Sequence, residues 1–194
     1  DAFTIRNLEV FQSLETQGTH GTLVDCIDKT QTSGGGRLLR RWLHNPLTDQ
    51  DRIESRLNLV ESFKKNQRVL KTIQKDLSKT VDIERILGKV NHGKSSPRDI
   101  VGLGLALHKI PEYQKVLEKT GDTHLSNFSK LFVDSSSITT KVLDTIKEDT
   151  PIQVKMGDVI CDGVNSQLDE LRSLLKSGKR WIYTFQESLG EELE

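Results

Sequence analysis

The sequence predicts an all-α protein: an irregular multi-helix core that leads into a long C-terminal lever helix, with one small β-hairpin between them. Three observations carry this prediction. Apolar residues recur at alternating spacings of three and four along most of the chain. Helix-starting and helix-stopping residues punctuate those stretches at short intervals. Hydrophobic residues make up 34% of the chain, charged residues 29% and aromatic residues 5%. That balance favours an elongated helical body with much exposed surface.

Ile5, Leu8, Phe11 and Leu14 stand three apart and predict a short first helix, broken at Gly18 to Gly21. Leu23, Val24 and Ile27 form a second short apolar turn. Thr32-Ser33-Gly34-Gly35-Gly36 is expected to be a loop opening a third helix that carries Leu38, Leu39, Trp42 and Leu43, and Asn45-Pro46 stops it. Thr48 reads as the next N-cap, with Asp51 as a short-armed capping-box partner. Ile53, Leu57, Val60 and Phe63 line one face of the helix that follows. A further helix is expected from about Gln67 to Lys79, with Leu70, Ile73 and Leu77 inward, and another from about Asp82 to Asn91.

Ser96-Pro97-Arg98-Asp99 is the strongest local helix start. Ser96 can cap, Pro97 suits the first helical position, and Asp99 can reach back to the cap N–H. Ile100, Leu103, Leu107 and Ile110 make a seam, and Pro111 bends or restarts the helix. Residues 121–137 are Ser-rich and are expected to be loose, with a helix from about Ser137 to Glu148 beyond them. Alternating apolar residues around Gly157-Asp158, from Val154 to Ile160, predict the hairpin. The last helix runs from about Asn165 to Leu189, roughly 37 Å. Leu168, Leu171, Leu175, Ile182, Phe185 and Leu189 repeat along it as a heptad, interrupted at Gly178. This stripe has no partner of equal length in the sequence.

Composition excludes several functions. The chain has 28 basic and 28 acidic residues and no net charge, so a DNA-binding role through its whole surface is not expected. Cys26 and Cys161 form no CxxC pair, which predicts neither a disulfide framework nor a zinc site and favours a reducing compartment. No apolar run approaches ~18 residues, so no membrane helix is expected. The absence of an initiator Met and of a signal-peptide pattern predicts an internal segment of a longer protein.

No catalytic constellation emerges. The Gly34-Gly35-Gly36-Arg37 tract, with Arg40 and Arg41 near, could hold an anion at a helix start. It lacks the lysine of a phosphate-binding loop, and a flexible helix entry accounts for it better. Lys64, Lys65, Arg68, Lys71, Lys75 and Lys79 stand against one acid, Asp76. They are candidates for a DNA phosphate track, although a solvated helix face is the simpler account because no aromatic residue interleaves. His20, His44, His92, His108 and His124 are dispersed, so no metal site is expected. Nothing marks the chain as an enzyme in its own right.

Thr4-Ile5-Arg6-Asn7-Leu8-Glu9 resembles the T-x-R-N-L-E opening of the MutS core domain. Gly21-Thr22-Leu23, Asp28-Lys29-Thr30-Gln31-Thr32 and Gly36-Arg37-Leu38-Leu39-Arg40-Arg41-Trp42-Leu43 follow in that family's order. Asn45-Pro46-Leu47 and Ile53-Glu54-Ser55-Arg56-Leu57 continue it. Ser95-Ser96-Pro97-Arg98-Asp99 is similar to the family's S-P-R-D helix start. Ile160-Cys161-Asp162-Gly163-Val164 with Leu168-Asp169-Glu170-Leu171-Arg172 is similar to its lever start. The resemblance extends from Asp1 to about Phe185. The chain departs from the family at Gly34-Gly35-Gly36, where some members carry Met or another apolar residue, and in the short acidic stretch from Gln186 to Glu194.

The resemblance implies a helical core over residues 1–150, and a short hairpin with the ascending lever helix over 151–194, ending before the clamp. It implies that the segment couples mismatch binding and clamp closure to an ABC-type ATPase domain elsewhere in the parent protein. ATP and Mg are then cofactors of the parent, and none is expected in this segment. Expected partners are mismatched duplex DNA, a second MutS-type subunit and a MutL-type protein. The setting is the cytoplasm, at the nucleoid, in a bacterium, or the nucleus in a eukaryote. The residues expected to maintain structure and coupling are Arg6, Asn7, Asp28, Thr30, Gly36, Arg37, Trp42, Pro46, Arg56, Ser96, Pro97, Asp99, Leu168, Asp169 and Arg172. A free-standing helical scaffold for protein partners and a weak phosphate-backbone DNA-binding module are the competing expectations.

Overall fold

The computed structural model describes residues 2–191. Among them are eleven α-helices: α1 (Ala2–Asn7), α2 (Leu23–Ile27), α3 (Ser33–His44), α4 (Gln50–Lys65), α5 (Gln67–Leu77), α6 (Ile83–Asn91), α7 (Pro97–His108), α8 (Ile110–Glu118), α9 (Thr123–Ser129), α10 (Ser136–Thr145) and α11 (Ser166–Glu191). The all-α expectation holds. No helix among the described residues is long and apolar enough to cross a membrane.

Local chemistry sets most of the helix starts. Thr22, Thr32, Asp82 and Asp122 each accept a backbone N–H from the first turn of the helix that follows. Such caps occupy donors that the helix itself leaves free. Ser96 and Asp99 form the predicted reciprocal capping box on α7, with Pro97 at the first helical position. Pro111 restarts the chain as α8, as the sequence implied.

The core sits where α7, α8, α9 and α10 meet α4, α5 and α6. α7 packs against α10 and α6, α8 against α9 and α5, and α4 against α9. Val101, Ile86, Leu117 and Leu125 are buried there. Phe128 bridges Phe63 of α4 and Phe132 through edge-on ring contacts at 6.4 and 5.5 Å. A second, smaller core holds Val10 and Val24. It is pinned by Leu23 N–H to Glu9 O and Val24 N–H to Val10 O, at 3.1 and 3.0 Å.

Several boundaries differ from the sequence expectation. α1 ends at Asn7, so Leu8, Phe11 and Leu14 do not continue it. Glu9 adopts φ 47°, a left-handed conformation that ends a helix, and its carboxylate takes the Leu14 N–H. Leu8 and Leu14 are exposed. The three glycines after Ser33 are not a loop before α3 but its first turn, because Thr32 caps Gly35 N–H at 2.9 Å. α4 is capped by Asp49 rather than Thr48, through Arg52 N–H at 2.8 Å. A carboxylate is the better match to the positive end of a helix. The stretch 121–137 contains α9, with Leu125 and Ser129 fully buried.

The expected hairpin does not form. Val154–Met156 is a single 3-10 turn, and Gly157 and Asp158 both take positive φ, which interrupts an extended run. The extended contact is made further back. Ile146 pairs antiparallel with Ile160, through Lys147 N–H to Val159 O and Cys161 N–H to Thr145 O, both 2.9 Å. The end of α10 is thereby sewn to the entry of α11. α11 has 26 residues, roughly 39 Å. Leu171, Leu175 and Ile182 of its heptad are exposed, and the side chains of Phe185 and Leu189 lie outside the described residues.

Candidate functional site

Paired charged side chains among the described residues join helices to one another. They form a succession of polar joints, each fixing one helix to the next, from the start of α3 to the root of α11. Among the described residues no group of three or more His, Cys, Asp or Glu side chains is placed to hold a metal ion.

The first joint sets the entry to α3. The Asp28 carboxylate accepts Thr30 N–H at 3.1 Å and Thr30 Oγ1–H at 2.7 Å. These bonds hold its carboxyl below the usual range. The turn lies directly on the helix. A Cβ on Gly35 would sit 3.0 Å from Thr32 Oγ1, and one on Gly36 3.4 Å from Thr30 Oγ1. A side chain at Gly35 would therefore be crowded, whereas one at Gly36 would make an ordinary contact. Gly35 N–H is already taken by Thr32, which leaves that donor unavailable to an anion.

Arg37, one helical turn on, makes the second joint. Its Nη1 and Nη2 donate to both oxygens of Asp82 at 2.7 and 2.8 Å, while Nε and Nη2 donate to Glu84 at 3.1 and 2.6 Å. Asp82 is also the N-cap of α6, receiving Arg85 N–H. The Arg37 guanidinium, followed by that backbone N–H, holds the Asp82 carboxyl down to about 2. Arg37 is itself raised by Asp82 and Glu84. A forked guanidinium facing two acids fixes orientation as well as distance.

The other end of α6 carries the third joint. Lys89 Nζ donates to Asp99 Oδ1 at 2.7 Å, while Asp99 Oδ2 accepts Ser96 N–H and Oγ–H at 2.9 and 2.7 Å. Lys89, then Ser96, holds Asp99 down to about 2. The neighbouring Arg98 donates from Nε to Thr150 O at 2.8 Å, tying α7 to the segment after α10.

The last joint gathers at the root of α11. Lys147 pairs with Asp158. Arg172 donates from Nη1 to Asp162 at 2.7 Å and from Nη2 to Ile160 O at 2.8 Å. Asp169 Oδ2 accepts Gly163 N–H at 2.8 Å. Its other oxygen lies 3.5 Å from Arg172 Nη1, an ion-pair contact without hydrogen-bond geometry.

The structure places the remaining sequence candidates outside these joints. Trp42 of α3 carries the Arg56 guanidinium of α4 over its ring at 3.8 Å. Pro46 follows the Asn45 C-cap of α3. Asn7 is the last residue of α1. Arg6 lines a cleft of about 620 Å³ with Phe11, Arg40 and His44, where the Phe11 and His44 rings stack at 4.2 Å. Pro97 is buried and Leu168 half-buried. Among the basic candidates, Lys65 pairs with Glu61 at 2.8 Å. Lys64, Arg68, Lys71 and Lys75 have no carboxylate at salt-bridge distance among the described residues.

Sequence reasoning did not single out Asp82, Glu84, Lys89, Thr150, Lys147 or Asp158. Asp82 could have been found as a helix cap. The others meet partners up to 52 residues away, and no local pattern announces them.

The family model for MutS domain III matches residues 3–193. The chain is 35% identical over 188 residues to the DNA mismatch repair protein MutS of Halothermothrix orenii, covering 97% of this chain and 21% of that protein. It is 38% identical over 185 residues to that of Bacillus cytotoxicus, covering 94% and 20%. It is 35% identical over 186 residues to that of Clostridium perfringens, covering 96% and 20%. The chain spans about a fifth of the length of these relatives.

Proposed function

This chain belongs to the MutS family, as its domain III, and from that premise we propose that it is the mechanical core of a DNA mismatch repair protein. In this reading residues 1–150 are the body and residues 151–194 lead into the ascending lever. The segment carries a change of helix orientation between mismatch-bearing duplex DNA and an ATPase that binds ATP and Mg, both engaged by other parts of the parent. A second MutS-type subunit and a MutL-type protein are partners of that parent.

The observation that supports the coupling is the unbroken order of joints. Arg37 fixes α3 to α6, Lys89 fixes α6 to α7, and Arg98 fixes α7 to the segment after α10. Arg172 fixes that segment to α11. Each joint is directional, and rigid helices linked this way move as levers rather than bending. A functional measurement tests the coupling.

The test uses the full-length parent protein carrying Arg172→Ala. Mismatch affinity and ATP hydrolysis without DNA should stay near wild type, while ATP-triggered release from the mismatch slows several-fold. Leu175→Pro, which breaks α11 one turn further on, should do the same. Normal timing of release in both variants would overturn the proposal.

A further inference from the structure

The exposed face of α5 carries a charge pattern that the joints do not use. Arg68, Lys71 and Lys75 lie on α5, Lys79 just beyond its end, and all four are exposed. At about 100° per residue the three helical positions fall within an arc of about 60°. Lys79 extends the row by one more turn, to a length of roughly 16 Å.

Among the described residues these four cations are unpaired, whereas six other Lys and Arg side chains of the chain are paired. Arg37, Lys65, Lys89, Lys109, Lys147 and Arg172 each meet a carboxylate. None of Arg68, Lys71, Lys75 and Lys79 does so among the described residues. Asp76 is the one acid between Lys64 and Lys79. It turns at least a quarter-turn away from Lys71 and Lys75 and lines a cleft with Tyr113 and Lys109. The chain as a whole is neutral, so the row is a local excess. Like charges at this spacing destabilise a helix, and a polyanion relieves that repulsion.

We propose that the α5 row binds the phosphate backbone of duplex DNA without regard to sequence or mismatch. Two observations choose the duplex. No aromatic side chain stands in the row to stack unpaired bases, which disfavours a single strand. A row of roughly 16 Å spans on the order of four phosphates at ~3.4 Å of axial rise per strand, one for each cation. Choosing DNA over other polyanions rests on the mismatch-repair reading. The binding itself requires neither ATP nor the coupling of helices, so the two proposals fail separately.

The experiment measures binding of this 194-residue chain to a fully paired, labelled duplex by fluorescence anisotropy across a salt series. Four phosphate contacts predict that log K falls with log salt at a slope of about −3.6. Lys71→Glu with Lys75→Glu should halve that slope or flatten it further, and weaken binding at low salt at least tenfold. Lys94→Glu with Lys119→Glu, both exposed and outside the row, should leave the slope unchanged. Circular dichroism confirms that each variant is folded. The proposal is overturned by absence of binding at low salt, by a slope that the α5 variant does not change, or by an equal loss in the control variant. Binding of labelled polyglutamate through the same row, with no binding of duplex, would also overturn it in favour of an acidic protein.

Discussion

Gly104 of α7 faces Val142 of α10 so closely that a Cβ on the glycine would lie 2.9 Å from Val142 Cγ1. Leu143 Cδ2 would be 3.2 Å away. The two helices meet here at the centre of the body, and the absent side chain sets their separation. Gly104→Ala gains helix propensity of about 1 kcal/mol, but overpacking a filled interface costs about 1–3 kcal/mol. The expected result is net destabilisation of roughly 1 kcal/mol, read by denaturant unfolding. Gly88 in α6 supplies the contrast, because a Cβ there meets nothing within 4 Å. Gly88→Ala should stabilise by about 0.5–1 kcal/mol. Equal effects of the two substitutions would refute the close packing of α7 on α10.

The joints make the fold acid-sensitive. Asp82 and Asp99 titrate at about 2 when folded, against 3.8 for an unperturbed aspartate. The folded state therefore binds fewer protons than the unfolded state in that interval. Their contribution is complete above about pH 4 and drains as pH falls towards 2. Asp82→Asn removes the charge but retains a good helix cap. Its thermal midpoint should lie below wild type at neutral pH, and the two curves should converge near pH 2. Parallel curves from pH 5 to 2 would show that the Arg37 contact contributes nothing.

Leu125 separates the true core from the apparent one. It is 0% exposed, in a stretch whose serines suggested a loop, whereas Leu175, on the heptad, is 67% exposed. Leu125→Ala should cost about 2–5 kcal/mol. Leu175→Ala should change the stability of this chain by less than about 0.5 kcal/mol. Urea unfolding of both variants decides it, and a large loss at Leu175 would mean that α11 has a packed face within this chain.

The contrast shows which parts of the fold were legible in the sequence. Caps depend on adjacent residues, so Ser96, Pro97 and Asp99 announced α7 correctly, and Asn45-Pro46 announced the end of α3. Periodicity located helices but not their buried faces. Leu57 and Val60 stand at helical spacing yet are exposed, while Val101 and Gly104 are buried beside the seam expected from Ile100 and Leu103. The hairpin expected from the sequence does not form because alternation from Val154 to Ile160 says nothing of φ, and Asp158 takes a left-handed one. Family resemblance marked Arg37, Asp99 and Arg172 as important. Their partners Asp82, Lys89 and Asp162 follow from tertiary packing, which brings residues 10 to 45 positions apart into contact.

Arg172 offers the most local test of the α11 root. Its side chain is 21% exposed, and its two terminal nitrogens hold Asp162 and Ile160 O. Asp162 is itself largely exposed, so that ion pair adds little to stability. The bond to the Ile160 carbonyl falls on the residue that pairs with Ile146. Arg172→Ala should lower global stability by only about 1 kcal/mol. It should nevertheless speed amide exchange at Cys161 and Lys147, whose N–H groups close the bridge to Thr145 O and Val159 O. Exchange at Leu117 and Leu125, in the body, should change only as much as global stability does. Unchanged protection at Cys161 would place the restraint on α11 elsewhere than in this guanidinium. Arg172→Lys keeps the charge but loses the fork that reaches two acceptors at once, so it should restore only part of that protection.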